Sequence, residues 1–175
     1  MLKKMTDLAI INRTFWPHNQ VIGEALLLFA ERAASVGKVC VITQSRENLK
    51  HTLVNSGRGE GVKVCACQAH TDSASIFVKR VIESIYFMVW VMISLSRERP
   101  RKVYVATDPP VLVPFIVFIY CKLFRAEYFY HLQDIHPEAT NIVIPLNRLM
   151  FGALRWIDNL TLRHAKALFT LSNDM

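Results

Sequence analysis

Short apolar runs alternate with longer segments of helical periodicity along almost the whole of this 175-residue chain. The run Val103–Thr107 is apolar without alternation, as expected of a strand that is buried on both faces. Strands predicted at Leu8–Ile11 and Lys38–Thr43 flank a helix predicted at Val21–Ser35, and such a unit places its two strands parallel through a right-handed crossover. The alternation therefore predicts an α/β fold, a doubly wound and mainly parallel Rossmann-like sheet with helices on both faces.

The rest of the chain continues the same alternation. Further strands are predicted at Val62–Cys67, Tyr128–Gln133 and Ala167–Leu171, and further helices at Ile76–Arg99, Val111–Phe124 and Leu146–Arg163. The segment from Gln44 to Gly61 is polar, receives no helix or strand, and ends in a glycine-rich turn at Gly57–Gly61. We expect one domain with at least six strands, in which the Tyr128 strand is central.

The composition favours a protein that acts at an anionic surface. Hydrophobic residues make up 52% of the chain, and the formal net charge is +7. Phospholipid headgroups and nucleotide phosphates are surfaces that such a chain suits. Nucleic acid is the competing partner, but the basic residues are scattered, and the densest run, Arg97–Lys102, is broken by a glutamate and a proline. We therefore predict no nucleic-acid partner.

Two of the predicted helices are unusually apolar. Glu83 interrupts the stretch Val81–Leu95, and Val111–Phe124 contains a proline and a lysine. Neither stretch gives the roughly 20 uninterrupted apolar residues that a membrane-spanning helix requires. We predict core helices. The alternative is a helix that rests partly in a membrane interface, with Tyr86 and Trp90 at the headgroup level.

The four cysteines predict an intracellular protein. No two of them form a Cys-x-x-Cys pair, and Cys65 and Cys67 fall on one face of a predicted strand, where a disulfide is too constrained. The apolar run Leu8–Ile11 is too short for a signal peptide. We expect reduced core cysteines and a cytoplasmic location, with peripheral attachment to the inner face of the cell membrane as a further expectation.

A doubly wound sheet holds its ligand beyond the carboxyl ends of its strands. That rule selects six segments before any family is considered: 12–18, 43–44, 68–70, 107–108, 134–138 and 172–173. Loops at the opposite edge, such as Gly57–Gly61 and Arg97–Lys102, are expected to be merely solvated. In the segment after the Tyr128 strand, Asp134, His136 and Glu138 stand at alternate positions.

Several chemistries are open to these three residues. Carboxylate and imidazole side chains suit zinc or iron, but Pro137 stiffens the segment, and we predict no metal and no cofactor. Serine-type hydrolysis lacks a Gly-x-Ser-x-Gly elbow. A structural alternative is that Asp134 only caps the helix that follows.

Four motifs together resemble a known family. Gln133-Asp-Ile-His-Pro-Glu138 is similar to the Asp-x-x-Pro-Glu signature in the acceptor-side domain of family 4 glycosyltransferases, which have the two-domain GT-B architecture. Thr107-Asp-Pro-Pro110 resembles the family's turn of a small residue followed by two prolines, and Ser172 to Met175 resembles its closing Ser-x-x-Met. The loop after the first strand, with Pro17 and Gly23, is similar to the family's acceptor-side loop.

The resemblance implies a function and a division of labour. Residues 1–175 would form the N-terminal, acceptor-binding domain of a retaining enzyme whose C-terminal donor-binding domain is absent, so the chain alone is expected to be inactive. The enzyme would transfer a sugar from a nucleotide-sugar to a glycan or lipid-linked acceptor in surface-polysaccharide biosynthesis. Asp134 would be catalytic, and the implied substrate-binding residues are Trp16, Gly23, Thr107, Asp108, His136 and Glu138.

Two alternatives belong to other functional classes. One is a non-catalytic subunit that docks the membrane or the acceptor for a split glycosyltransferase. The other is an unrelated nucleotide-binding α/β domain, although the chain has no glycine-rich phosphate-binding loop between a strand and a helix.

Overall fold

The structure, a computed structural model, describes residues 5–71, 77–108, 110–132 and 147–170. The strands are β1 (Leu8–Ile11), β2 (Val39–Ser45), β3 (Val62–Gln68), β4 (Lys102–Ala106), β5 (Glu127–Leu132) and β6 (Ala167–Thr170). The helices are α1 (Ile22–Ala34), α2 (Leu49–Asn55), α3 (Phe77–Glu98), α4 (Leu112–Phe124) and α5 (Arg148–His164).

The six strands of the described residues form one parallel sheet in the order β3-β2-β1-β4-β5-β6. This order is the one that doubly wound, Rossmann-like sheets adopt. The predicted fold class is therefore confirmed. The Tyr128 strand, β5, lies between β4 and β6, one strand in from the edge, so its predicted central position is wrong. The central pair is β1 and β4, which align Ile10 with Tyr104.

Side chains that alternate along the strands build two cores, one on each face of the sheet. On one face, Ile10 and Val41 pack with Leu27 of α1, and α2 adds to the same cluster. On the other face, Ile11 and Val105 pack in a cluster that α3, α4 and α5 cover. Full burial of one aliphatic side chain stabilises a fold by roughly 1.5–3 kcal/mol, so both helical layers are held by the hydrophobic effect.

The aromatic residues of β5 hold α5 against the sheet. The Tyr128 hydroxyl donates a hydrogen bond to the Thr161 carbonyl, and the Tyr130 hydroxyl donates to Asp158 Oδ1 at 3.3 Å. Burial raises the pKa of Tyr130 far above its usual value, and the neighbouring Asp158 raises it further. Tyrosine suits this strand because its ring fills the core while its hydroxyl satisfies a buried polar group.

Helix α3 is apolar on two opposite faces. Phe87, Val91 and Leu95 are fully buried against the sheet. The opposite face exposes a row of apolar side chains, the α3 stripe, which consists of Val78, Ile82, Ile85, Val89 and Ile93. Trp90 donates from Nε1 to the Cys65 carbonyl at 3.1 Å, so its ring faces the sheet and not the surface. The contact of Trp90 agrees with the predicted core helix and not with the interfacial alternative, whereas Tyr86 is exposed.

Within the described residues, none of the helices has the length and apolar character needed to cross a membrane.

Helix α2 lies in a segment for which the sequence predicts no helix. Asn48 caps it by accepting a hydrogen bond from the His51 amide, and Leu49 and Leu53 bury one side of the helix. The helix has only seven residues. Its two buried leucines, in a segment that is otherwise polar, are too few to show a helical periodicity in the sequence.

The loop Gly57–Gly61 is more than a solvated turn. Its three glycines have φ between 65° and 73°, a left-handed conformation that glycine adopts without steric cost. Arg58 forms ion pairs with Glu24 at 2.9 Å and Glu31 at 3.0 Å, which fix the loop to α1 and lower the pKa of Glu31. The prediction that this loop is merely solvated is therefore wrong.

All four cysteines are free thiols, and three of them are buried. Burial raises the pKa of Cys67 to about 11 and that of Cys121 to about 12. A raised pKa keeps a thiol protonated and unreactive, which agrees with the predicted role of the cysteines as core residues.

Candidate functional site

The loops that follow β1, β2, β3 and β4 meet at one edge of the sheet, because all four strands are parallel. The chain leaves β1 toward β2 on one side, and β4 lies on its other side. This point, where the strand order reverses, is where open α/β sheets form a crevice for their ligands. The candidate site is therefore built around the end of β1.

The backbone of Arg13 joins the ends of the two neighbouring strands. Its amide donates to the Asp108 carbonyl at 3.0 Å, just after β4. Its carbonyl accepts from the Thr43 hydroxyl at 3.0 Å and from the Gln44 amide at 3.1 Å, at the end of β2. The first residues of the β1–α1 loop are thus fixed relative to both β2 and β4.

A single buried carboxylate connects three loops beneath this edge. Glu83 lies on α3 with 4% of its side chain exposed. Its Oε1 accepts hydrogen bonds from the Thr71 amide at 3.1 Å, from Gln44 Nε2 at 3.2 Å and from the His70 amide. The residues after β3 and the end of β2 are therefore both held by one side chain.

The other oxygen of Glu83 holds the loop after β1. Arg13 Nη2 lies 3.2 Å from Glu83 Oε2, and Arg13 Nε donates to Gln44 Oε1 at 3.1 Å. Removing one partner of a buried ion pair typically costs about 3–5 kcal/mol, because the remaining charge is left without compensation. We refer to Arg13, Gln44 and Glu83 as the rim network.

Asp108 holds the next residue of the same loop. Its Oδ2 accepts from the Thr14 hydroxyl at 2.8 Å and from the Thr14 amide at 3.2 Å. Thr107, beside it, is buried. The structure thus places both residues at the predicted edge and gives Asp108 a contact within the chain. Substrate binding by Thr107 and Asp108 stays a prediction.

Trp16 and Gly23 meet where the loop joins α1. A Cβ atom on Gly23 would lie 2.5 Å from the Trp16 amide nitrogen and 2.8 Å from the Phe15 carbonyl carbon. Only glycine allows the first turn of α1 to approach the loop so closely. Trp16 is half-buried against the core that α1 covers. These contacts explain the two residues through packing, and their role in substrate binding stays a prediction.

A cavity of about 290 Å³ opens between the loops after β1, β2 and β3. Its lining includes Arg13, Phe15, His18 and Arg46. Asn12, the residue before Arg13 in the chain, is 1% exposed, and its Oδ1 has no hydrogen-bond partner among the described residues. A lining that combines an aromatic residue with cationic and hydrogen-bonding groups is suited to a hydroxyl-rich or anionic small molecule.

The residues with the strongest sequence signal follow β5. Asp134, His136 and Glu138 lie outside the described residues. Strand β5 ends at Leu132, on the edge where β4 also ends, and its His131 is aligned with Ala106. Among the residues that the structure describes, no three His, Cys, Asp or Glu side chains form a group that could hold a metal ion.

Arg13 and Gln44 lie in two of the segments predicted to form the ligand crevice, whereas Glu83 was not predicted to take part. Glu83 appeared only as an interruption of an apolar helix, yet it stands four residues before Phe87 and eight before Val91, both on the buried face. A carboxylate in line with buried positions of a helix requires partners, because an unpaired buried charge is very costly. That spacing was the available signal, but it does not identify Arg13 or Gln44 as the partners.

The sequence matches no protein-family model and no curated protein. Solved structures similar to this chain include two crystal structures of UGT89C1 from Arabidopsis thaliana, a glycosyltransferase with the GT-B fold. The one complexed with UDP aligns with a TM-score of 0.54 and 12% identity over 97% of this chain and 43% of that chain. The other aligns with a TM-score of 0.55 and 11% identity over 98% and 51%.

At these identities the likeness establishes the fold alone, a six-stranded parallel α/β sheet of the Rossmann type. The chain spans about half or less of the length of these two structures.

The rim network predicts a large effect of Glu83→Ala on stability. The change leaves Arg13 without its ion-pair partner and removes the acceptor of three further donors, so the free energy of unfolding should fall by about 3 kcal/mol or more. Urea unfolding followed by circular dichroism measures it. Glu47→Ala, at an exposed residue after β2, is the matched control and should change stability by less than about 0.5 kcal/mol. Equal effects of the two substitutions on the free energy of unfolding would contradict the role of Glu83 in holding the rim network.

Proposed function

We propose that this chain is the acceptor-binding half of a retaining, family 4-like glycosyltransferase. The complete enzyme transfers a sugar from a nucleotide-sugar to a glycan or lipid-linked acceptor in surface-polysaccharide biosynthesis. The donor is bound mainly by a second domain or by a partner chain, so residues 1–175 on their own turn over no substrate.

The observation that carries this proposal is the crevice at the carboxyl edge of a Rossmann-ordered sheet. Arg13, Gln44 and Glu83 fix the loops after β1, β2 and β3 around a cavity with polar and cationic lining. A rigid scaffold of this kind positions two reactants for reaction, which contributes a large part of catalysis in group transfer. The likeness to UGT89C1 supports the same reaction class, and a nucleotide-sugar donor agrees with the UDP in one of those structures.

The roles of individual residues in the proposal follow from their places along the strands. Asp134 comes two residues after the end of β5, and a carboxylate there accepts the proton of the acceptor hydroxyl or orients that hydroxyl. His136 and Glu138 bind substrate groups that neighbour the acceptor hydroxyl. Asp108 accepts hydrogen bonds from Thr14 and so fixes the loop after β1 beside the end of β4.

The Asp134 assignment predicts a loss of turnover without a loss of stability. In an enzyme reconstituted with its donor half, supplied in cis or in trans, Asp134→Asn should cut the turnover number by on the order of 100-fold. The melting temperature should stay near that of the wild type. Release of nucleotide from UDP- or GDP-sugars, measured with and without acceptor, gives the turnover number.

Glu60→Gln, at an exposed residue of the loop before β3, is the charge-matched control and should keep full turnover. If Asp134→Asn keeps turnover within a few-fold of the wild type, or if it lowers the melting temperature as a lost helix cap would, the catalytic assignment is wrong.

The α3 stripe favours a second candidate function, a membrane-docking subunit of a split glycosyltransferase. Its five aliphatic side chains are between 39% and 62% exposed along one face of α3. Lys79, Arg80 and Arg97 on the same helix are exposed as well. Exposed aliphatic side chains next to lysine and arginine are typical of helices that lie on anionic membranes.

Docking through the α3 stripe predicts loss of vesicle binding in the double variant Ile82→Ser/Val89→Ser. The wild type should sediment with vesicles of phosphatidylcholine and phosphatidylglycerol at low salt. Binding should weaken as salt rises, because the Debye length is only about 10 Å at 0.1 M. The control Val36→Ser/Val54→Ser removes two exposed valines outside α3 and should sediment like the wild type. Equal sedimentation of all three proteins, or none at low salt, would refute docking through α3.

A further inference from the structure

A second cavity, of about 690 Å³, lies at the opposite edge of the sheet from the candidate site. Arg101 and Lys102 line it at the start of β4, and Ala126 and Glu127 line it at the start of β5. Because the strands are parallel, their amino ends are a strand length away from the crevice. The cavity is therefore separate from the site proposed for the acceptor.

Four cations line this amino-edge cavity, namely Arg99, Arg101, Lys102 and Arg125. Within the described part of the chain, none of them pairs with a carboxylate. Glu127, the acidic residue of the lining, pairs instead with Lys166 at 3.1 Å. Like charges that share one cavity repel each other, and an anion bound among them would relieve that repulsion.

The backbone at two of these residues is in an unfavourable conformation. Arg99 directly follows α3 with φ 47°, and Arg125 ends α4 with φ 53°. Glycine or asparagine is the usual residue at such helix ends. A larger side chain in the left-handed region is a reason to look for a function of that side chain.

The helix dipole explains the positions of only two of the four cations. A cation at the carboxyl end of a helix is favoured by the helix dipole, which accounts for Arg99 after α3 and Arg125 after α4. Arg101 and Lys102 stand outside any helix, at the start of a strand, and both are exposed. Their position beside the other two cations has no such structural explanation.

The remaining wall of the cavity is apolar. Tyr120 is 1% exposed, and its hydroxyl donates a hydrogen bond to the Pro100 carbonyl oxygen over 3.3 Å. This contact fixes the back of the cavity. Phe124 is 44% exposed at the same cavity. A ligand with an anionic group and an organic portion would meet cations on one side and an aromatic ring on the other.

We propose that the amino-edge cavity is a binding site for a phosphate ester. Arg99, Arg101, Lys102 and Arg125 bind the phosphate oxygens, since guanidinium groups match phosphate geometry with paired hydrogen bonds. Phe124 packs against the organic portion. The phosphate is that of a soluble metabolite or of a phospholipid headgroup, which share this chemistry.

Calorimetric titration of the 175-residue chain with inorganic pyrophosphate tests the site. The wild type should bind saturably, and the double variant Arg101→Gln/Lys102→Gln should bind at least about tenfold more weakly, since two charge-assisted contacts are lost. Lys50→Gln/Arg163→Gln removes two exposed charges elsewhere and should bind within about twofold of the wild type. Circular dichroism melting checks that all three proteins are folded.

Vesicle sedimentation distinguishes the two sources of phosphate. All proteins in this assay carry Ile82→Ser/Val89→Ser, so that docking through the α3 stripe does not contribute. If vesicles with phosphatidic acid retain the parent and the control but not Arg101→Gln/Lys102→Gln, and pyrophosphate releases the chain, the ligand is a headgroup. If pyrophosphate binding depends on Arg101 and Lys102 but vesicle binding does not, the ligand is a soluble phosphate ester. Absence of saturable pyrophosphate binding, or equal weakening in both double variants, would overturn the proposal.

Discussion

The carboxyl edge of this sheet depends on one buried carboxylate. Glu83 reaches from α3 to the ends of β2 and β3 and, through Arg13, to the loop after β1. A charge with 4% exposure is tolerated only when it is paired and fully hydrogen-bonded, and the donors that satisfy it come from three parts of the edge: the loop after β1, the end of β2 and the residues after β3. The same requirement that stabilises Glu83 therefore fixes the loops that form the proposed acceptor crevice.

Helix α3 consequently connects three properties of the molecule. Its buried face carries Phe87 in the core, its first half carries Glu83 under the crevice, and its outer face carries the α3 stripe. A partner or membrane that holds the outer face would also hold the element that positions the crevice. The basic amino-edge cavity lies at the other end of the strands, so the two proposed ligands would not compete for the same residues.

The alternation of apolar runs and helices was sufficient to predict the fold class, because a strand buried on both faces, such as Val103–Ala106, fits only a sheet covered on both sides. The rank of β5 in the sheet was not predictable, since strand order depends on crossovers and not on local composition. The amino-edge cavity was missed for a similar reason. Arg101 and Arg125 are distant in sequence, and Arg97–Lys102 was predicted to be a solvated loop. In the structure, α4 places Arg125 at the same cavity as Arg101.

Native-state hydrogen exchange on the wild type and on Glu83→Ala tests the central claim most directly, because it reports the opening of each segment separately. If Glu83 couples the loops, the substitution should reduce amide protection together at Arg13 and Thr14, at Gln44 and at His70 and Thr71. Amides of the inner strands, such as Val105 and Tyr130, should lose protection only in proportion to the global change in stability. Loss of protection confined to His70 and Thr71, with Arg13 and Gln44 unchanged, would contradict the account.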